Sequence, residues 1–330
     1  MPAACTVRKM KTGSTIDGRT RHYGTFYGLP VAERADVDAS AGVRTEGLPL
    51  VLVWGNCQAE ALRVLLAGSP GLQARTVRIP PVFEMTSADL EPLRRVAGEA
   101  DILLTQPVRD GYNGLPLGSA QVAAMMPAGG TVIHWPVILH TAYQPFQAII
   151  RDPLGDLGDP PVVPYHDLRT LASAKRDRDL LDVAVSAEAC REIGVQSLAR
   201  LRQREREQCD VTISDLFADP AVGDMFTLNH PGNRVLVELA RRIQRSLGRP
   251  ADAAEPGRDL LGGVKTPMST EALAALGLSG AGTPDWQVGG SPVAARDVHL
   301  AQWQWYRDHP RMIEAGYRRH AAALNVLGLG

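Results

Sequence analysis

The rhythm of apolar and polar positions changes three times along the chain. Up to about residue 47 no apolar period is sustained. Gly13, Gly18, Gly24, Gly28, Gly42 and Gly47 lie scattered among charges. That composition reads as an N-terminal extension over 1–47, partly irregular, with room for a short hairpin at His22–Tyr27. At Leu48 the pattern becomes Leu-Pro-Leu-Val-Leu-Val-Trp-Gly-Asn-Cys-Gln. An unbroken apolar run ending in Gly-Asn predicts a strand buried on both faces. Ala59–Ala67 follows, with Leu62, Leu65 and Leu66 on one helical face and a stop at Gly68-Ser69-Pro70. The alternation then repeats. A strand is predicted at Ala74–Ile79 and a helix at Ser87–Glu99, capped by Ser87 and with Leu90, Leu93, Val96 and Ala97 on one face. A strand at Asp101–Thr105, a short helix at Ser119–Met126 and an apolar stretch at Thr131–Leu139 complete the series, with Pro136 inside the last. Alternating strands and helices predict an α/β fold with a doubly wound, mainly parallel sheet in three layers.

After residue 150 the rhythm is helical. Residues 166–210 carry nine basic and nine acidic side chains. Balanced charge on helices reads as a solvated face, and the basic stretch Arg202–Arg206 is read the same way. The expectation is a helical insertion at about 166–222. Residues 231–247 form the clearest helix: Leu236, Leu239, Ala240, Ile243 and Leu247 make one stripe, Pro231 suits the first position, and Gly248 with Pro250 ends it. Residues 250–292, rich in Gly, Pro and Ala, read as loop with short helices. Residues 293–326 return to helix, broken at His309-Pro310. Residues 48–330 therefore read as a single α/β catalytic domain with a helical C-terminal region.

Composition narrows the function. The 330 residues hold 35 Lys and Arg against 36 Asp and Glu, and aromatics are 5%. A net charge near zero with few aromatics offers neither a basic face nor a stacking platform, so no nucleic-acid partner is expected. No apolar run approaches the roughly 18 residues of a membrane span, and the start lacks an apolar signal region. Cys5, Cys57, Cys190 and Cys209 are widely spaced with no CxxC, which excludes a disulfide scaffold and a zinc ribbon and fits a reducing cytoplasm. No His/Cys/Asp cluster has metal-ligand spacing, so no metal is expected. Neither a GxGxxG nor a P-loop is present.

The chemistry concentrates at Trp54-Gly55-Asn56-Cys57-Gln58. Ligands collect at the carboxyl ends of strands in open α/β sheets. Gly55 permits a sharp turn there. Cys57 would sit at a helix N-terminus, where free N–H groups favour thiolate and can hold an oxyanion. The amides of Cys57 and Gln58 and the side chain of Asn56 are the expected oxyanion donors. His230, next to Asn229 and just before a helix, is the chosen base. His134 reads as a core residue, and His140, in His140-Thr141-Ala142-Tyr143, could reach the pocket from a strand end. Arg109, Asp110 and Tyr112 follow the third strand and would line the crevice, touching phosphate or sugar hydroxyls.

The segment VLVWGNCQAEALRVLL resembles the opening motif of the WcbI-type polysaccharide-biosynthesis proteins. Leu104–Tyr112 at the third strand end and Leu228-Asn229-His230-Pro231 fit the same resemblance, which covers roughly 48–245. It implies an acetyltransferase that binds coenzyme A (CoA) and acts in capsule assembly, on a core similar to the SGNH (GDSL-type) hydrolases. Cys57 then occupies the position of their nucleophilic serine. Three positions depart from the SGNH pattern. Cysteine replaces serine, Gln106 stands where a Gly-x-Asn-Asp block would contribute, and Thr227 holds the place of the acid, leaving Asp224 as the nearest carboxylate. A Cys–His pair suffices because a thiol ionises more readily than a hydroxyl. The expected partners are a small-molecule acyl donor, acetyl-CoA, and a carbohydrate-like acceptor. An esterase or thioesterase on the same core, and a CoA or nucleotide-sugar binding protein without catalysis, remain as alternatives.

Overall fold

The computed structural model describes residues 16–35 and 47–330. Cys5, Gly13 and Gly42 lie outside them. The core is a four-stranded parallel sheet, order β2-β1-β3-β4, built from β1 (Leu50–Trp54), β2 (Arg75–Thr76), β3 (Ile102–Thr105) and β4 (Thr131–His134). β1 is buried along its whole length, as its apolar run requires. Val51 and Val53 face one core with α2 (Cys57–Ala67) and α7 (Asn233–Ser246). Leu50, Leu52 and Trp54 face another with α3 (Leu90–Gly98) and α4 (Ser119–Ala123). The period-2 alternation of a strand thus loads both faces of the sheet with helices. β4 ends at His134, before Pro136, so the predicted strand to Leu139 is shortened where proline cannot donate to a ladder.

The N-terminal arm is helical where a hairpin was expected. Asp17 caps α1 (Gly18–His22), accepting from the Thr20 N–H at 2.9 Å. Phe26 is fully buried in the second core. Arg19 Nη1 lies 2.9 Å from Asp89 Oδ1, and the Tyr27 hydroxyl donates to the same oxygen at 2.5 Å. Asp89 also closes a capping box with Thr86, which displaces Ser87 as the cap. Burial alone would raise the Asp89 carboxyl, but the bonds from Arg19, Tyr27 and Thr86 hold it down at about 2. A depressed carboxylate stabilises fully above its unfolded pKa, and that contribution is lost as pH falls towards 2.

Residues 166–222 carry α5 (Leu168–Arg176) and α6 (Ala187–Gln208), which share a third core with α9 (Ala295–Asp308) and α10 (Pro310–Val326). Two-residue strands β5 (Gln147–Ala148) and β6 (His166–Asp167) pair antiparallel at its edge. The helix break at His309-Pro310 falls where the sequence places it. Two expectations fail. α7 starts at Asn233 with Gly232 as its cap, because Pro231 belongs to β8 (His230–Pro231), which pairs with β7 (Met225–Thr227). Residues 250–292 also fold further than loop with short helices. Besides α8 (Thr270–Ala275) they supply β9 (Val264–Lys265) and β10 (Trp286–Val288), which join β11 (Ser291–Val293) in an antiparallel sheet, order β11-β10-β9. Gly289 and Gly290, at φ 57° and 83°, make the tight turn between β10 and β11.

Gly232 crosses the backbone of Gly223 so closely that a Cβ there would lie 1.8 Å from the Gly223 carbonyl oxygen. Gly232→Ala is therefore expected to cost about 3 kcal/mol or more. A fall in the urea midpoint at unchanged slope checks this.

Candidate functional site

The strand order reverses at β1, with β2 on one side and β3 on the other. The crevice for a ligand therefore opens at the carboxyl ends of β1 and β3. The turn after β1 is Gly55-Asn56, and α2 begins at Cys57. The residue following β3 is Gln106, whose side chain lies against Gly55. A Cβ at Gly55 would sit 2.4 Å from Gln106 Oε1, so glycine is required there by close approach.

Gln106 Oε1 accepts from the Asn56 N–H at 2.8 Å, and Gln106 Nε2 donates to Gln58 Oε1 at 3.1 Å. Gln58 is fully buried. Its Oε1 also accepts from the Ile138 N–H at 3.0 Å, and its Nε2 donates to the carbonyls of Ile138 and Asn229, each at 2.8 Å. Gln58 thereby ties α2 to β3, to the chain after β4 and to the loop that carries His230. With every polar atom of its amide engaged, Gln58 positions the site. The Gln58 N–H is spent on the Asn56 side chain, which caps α2 at 2.9 Å. Of the expected oxyanion donors, the Cys57 N–H faces its own sulfur and makes no backbone hydrogen bond among the described residues.

Cys57 is half-buried at the first position of α2. Burial pushes its thiol up to about 11, opposed by the backbone N–H groups of Cys57 and Gln58. Desolvation thus outweighs the helix N-terminus, and the group is a thiol at neutral pH, against the expected thiolate. Its side opens on a cavity of about 240 Å³ walled by Tyr23, Glu60, Arg63, Arg78 and Pro80. Glu60 Oε1 lies 3.0 Å from Arg78 Nε.

His230 lies on β8, and burial lowers its pKa to about 4, so the ring is neutral. Its polar neighbour is the Tyr165 hydroxyl, 3.4 Å from both ring nitrogens. Tyr165 also donates to Asn229 Oδ1 at 2.9 Å and accepts from Thr227 Oγ1 at 3.1 Å. The Tyr165 phenol is raised by burial first, lowered by the Thr227 bond and raised again by charge on Cys57. Tyr165 therefore lies within electrostatic reach of Cys57 and within touch of His230. No motif in the sequence marks it.

Other expected site residues serve elsewhere. Asp224 is buried and engaged by Arg234, at 2.7 Å from Nε and 2.7 Å from Nη2, and by the Tyr143 hydroxyl at 2.8 Å. Its carboxylate is thus spent on Arg234 and Tyr143 and does not orient His230. His140 packs in the same aromatic cluster, between Tyr143 and Phe217, and burial lowers it to about 4. His134 is half-exposed and pairs with Asp210 at 3.2 Å, so it is not a core residue. Arg109 and Asp110 are exposed, and Tyr112 packs on the second core, so these three do not converge with Cys57. Cys190 and Cys209 are also thiols, raised by burial to about 11 and about 12. Among the described residues no three His, Cys, Asp or Glu side chains form a metal-binding group, and no helix is long and apolar enough to cross a membrane.

The main addition to the sequence reading is a cavity of about 750 Å³, lined by Asn56, Arg151, Arg200, Arg204, Arg319 and His320 among others. Its volume suits a cofactor-sized ligand. Arg204 Nη2 is buried without a partner. Burial, and then the like charge of Arg200, lowers the Arg204 pKa. His320 is lowered by burial, against the raising effect of its bond with the Ile149 carbonyl, and lowered further by the charges of Arg319 and Arg200. Cations gathered without carboxylates on the cavity wall await an anion. Arg200 and Arg204 stand one turn apart on α6, a spacing the balanced charge count concealed. Asn56 lines both this cavity and the one beside Cys57.

A crevice at the strand reversal of a parallel α/β sheet, with a cysteine on one side and an arginine-lined cavity on the other, defines the class of site. The family model of polysaccharide biosynthesis enzyme WcbI matches residues 50–252, and the chain belongs to that family. A solved structure described as WcbI, a polysaccharide biosynthesis enzyme, in native form without a disulfide bond between CoA and one of its cysteines, superposes with a TM-score of 0.74. The two are 23% identical, over 86% of this chain and 99% of the other, which establishes a shared fold. No curated protein gives a significant match.

Replacing Gln58 by methionine keeps the length and removes the amide. It strands the Ile138 N–H, two carbonyls and the Gln106 amide, and is expected to cost more than about 3 kcal/mol in chemical denaturation. The raised thiol gives a second expectation. Alkylation of Cys57 by iodoacetamide should rise about tenfold per pH unit through the neutral range, without levelling near the ordinary thiol pKa. Mass spectrometry of the Cys57 peptide at several pH values measures it.

Proposed function

We propose that this protein is a CoA-dependent O-acyltransferase that moves an acyl group, acetyl in the simplest case, onto a hydroxyl of a saccharide during polysaccharide or glycoconjugate assembly. The observation that carries this reading is the buried, unpartnered Nη2 of Arg204 in a cavity that reaches Asn56, the neighbour of Cys57. Membership of a polysaccharide biosynthesis family and likeness to a structure described with CoA support it. The strand order β2-β1-β3-β4, with the cysteine in the turn after β1, supports an SGNH-like core carrying cysteine in place of serine.

The residues fit CoA. Arg151, Arg200, Arg204 and Arg319 would hold its phosphates, and Asn56 marks the end facing Cys57. When bound, acyl-CoA supplies an acyl group activated as a thioester. A Cys57 that carries the acyl holds it at nearly equal energy, and the acceptor's oxygen ester is the more stable product, so onward transfer runs downhill. Cys57 must first lose its proton. Neutral His230, which touches the Tyr165 hydroxyl, would take that proton, return it to the departing CoA sulfur and then take the proton of the acceptor hydroxyl as it attacks the acyl-Cys57 and the Cys57 sulfur leaves. The Cys57 N–H is placed to donate to an oxyanion beside the sulfur. A second reading rests on the high thiol pKa. In it His230 takes the proton of the acceptor hydroxyl directly, and Cys57 contacts the donor as a thiol.

Intact-mass analysis after incubation with acetyl-CoA tests both. The covalent route gives an acetyl adduct on wild type that Cys57→Ala lacks, with transfer reduced about a hundredfold or more. Full transfer by Cys57→Ala would sink the covalent form. Turnover without any acceptor would favour a hydrolase. Arg204→Ala is expected to weaken CoA binding about tenfold or more in calorimetry, with a shallower salt dependence than wild type. Unchanged affinity would remove CoA from this cavity.

A further inference from the structure

A second large cavity, of about 540 Å³, lies between α5, α8 and β10, and its chemistry is the opposite of the arginine cavity. Its charged walls are Asp167, Asp182 and Glu271 against a single arginine, Arg169. Arg169 is already paired with Asp167 at 2.7 Å and lies over the Phe146 ring, 4.2 Å from its centroid. No cation is left there for a phosphate or carboxylate. The apolar walls include Phe146 and Trp286, and Trp286 stacks on Tyr165.

The polar groups ask for hydrogen-bond donors. Gln144 is 3% exposed, and its Nε2 donates to the Met225 carbonyl at 3.0 Å. That bond fixes the amide and leaves Oε1 buried without a donor. An orphaned buried acceptor costs about 1–3 kcal/mol and is relieved by a ligand hydroxyl. His299, 2% exposed, also lines the cavity. Its Nδ1 is 2.7 Å from Thr170 Oγ1, and its Nε2 makes no hydrogen bond, lying 3.3 Å from Asp179 Oδ1. Asp167 is spent on Arg169 and Asp182 pairs with Arg296, which leaves Glu271 and the Gln144 oxygen to accept, beside apolar aromatic walls; together they match a ring of hydroxyls and C–H groups.

We propose that this cavity is a saccharide subsite for a neutral polyhydroxylated ring, with Gln144 Oε1 and the Glu271 carboxylate accepting its hydroxyl protons and Phe146 and Trp286 packing against its C–H face. Pro145 and Gln147 line both this cavity and the arginine cavity, so the two ligands would adjoin. That the bound sugar is part of the acyl acceptor rests on the acyltransferase reading. The subsite itself does not.

Saturation-transfer NMR on the full chain, with a panel of neutral methyl glycosides and with CoA in separate samples, tests the proposal. At least one glycoside is expected to take up saturation, with a millimolar Kd. Ala281→Trp, at an exposed position lining the cavity, fills the space and should weaken that binding about tenfold or more. Glu271→Gln, also exposed, should weaken it a few-fold, and both variants should keep wild-type CoA affinity. Glycoside binding that survives Ala281→Trp overturns the subsite. So does silence of every glycoside in a preparation that binds CoA, or saturation of sugar phosphates alone. Glycoside binding lost on Ala281→Trp, in a protein that never binds CoA, upholds the subsite and overturns the acyltransferase reading.

Discussion

The Gln58 side chain holds the site together. One buried amide makes hydrogen bonds to Gln106, to both backbone groups of Ile138 and to the carbonyl of Asn229. These partners come from β3, from the chain beyond β4 and from the loop before β8, so a single side chain sets the helix bearing Cys57 against the segment bearing His230. Buried polar networks of this kind specify one arrangement because every alternative leaves a donor or acceptor unpaired. Gly55 belongs to the same device, since only a residue without a Cβ lets Gln106 lie across the turn.

Around that knot the two sides of the crevice differ in charge. The arginine cavity gathers guanidinium groups, where burial and then the like charge of Arg200 lower Arg204, and the cavity behind Pro145 and Gln147 gathers carboxylates. A near-zero net charge thus conceals two local excesses of opposite sign. Cys57 sits beside them as a protonated thiol, so the proposed acyl transfer through it requires a base acting during the reaction rather than a preformed thiolate.

Much of the sheet was legible in the sequence because a buried parallel strand leaves a continuous apolar run, as at Leu50–Trp54. The position of Cys57 followed from the same run. The hairpin turn at Gly289-Gly290 was also readable, between Trp286-Gln287-Val288 and Ser291-Pro292-Val293, but a Gly-rich composition masked it as loop. Other features had no local signal. Tyr165 reaches His230 only through the pairing of distant segments. Arg204 looked solvated because its neighbours Glu205 and Glu207 balance it in a count, whereas the helix turns them to other faces. Asp224 is the nearest carboxylate before His230 along the chain, yet a bidentate bond from Arg234 claims it.

The walls of the site extend past the stretch that defines the family. Residues 50–252 contain Cys57, His230 and the glutamine knot. Tyr23, which walls the Cys57 cavity, belongs to an arm fastened by Arg19 and Tyr27 to Asp89, and Arg319 and His320 come from the last helix. A chain trimmed to residues 50–252 would keep Cys57 and His230 and lose the surfaces that enclose them. The shape of both cavities is therefore set in part by the two ends of the chain, while the glutamine knot sits wholly within its centre.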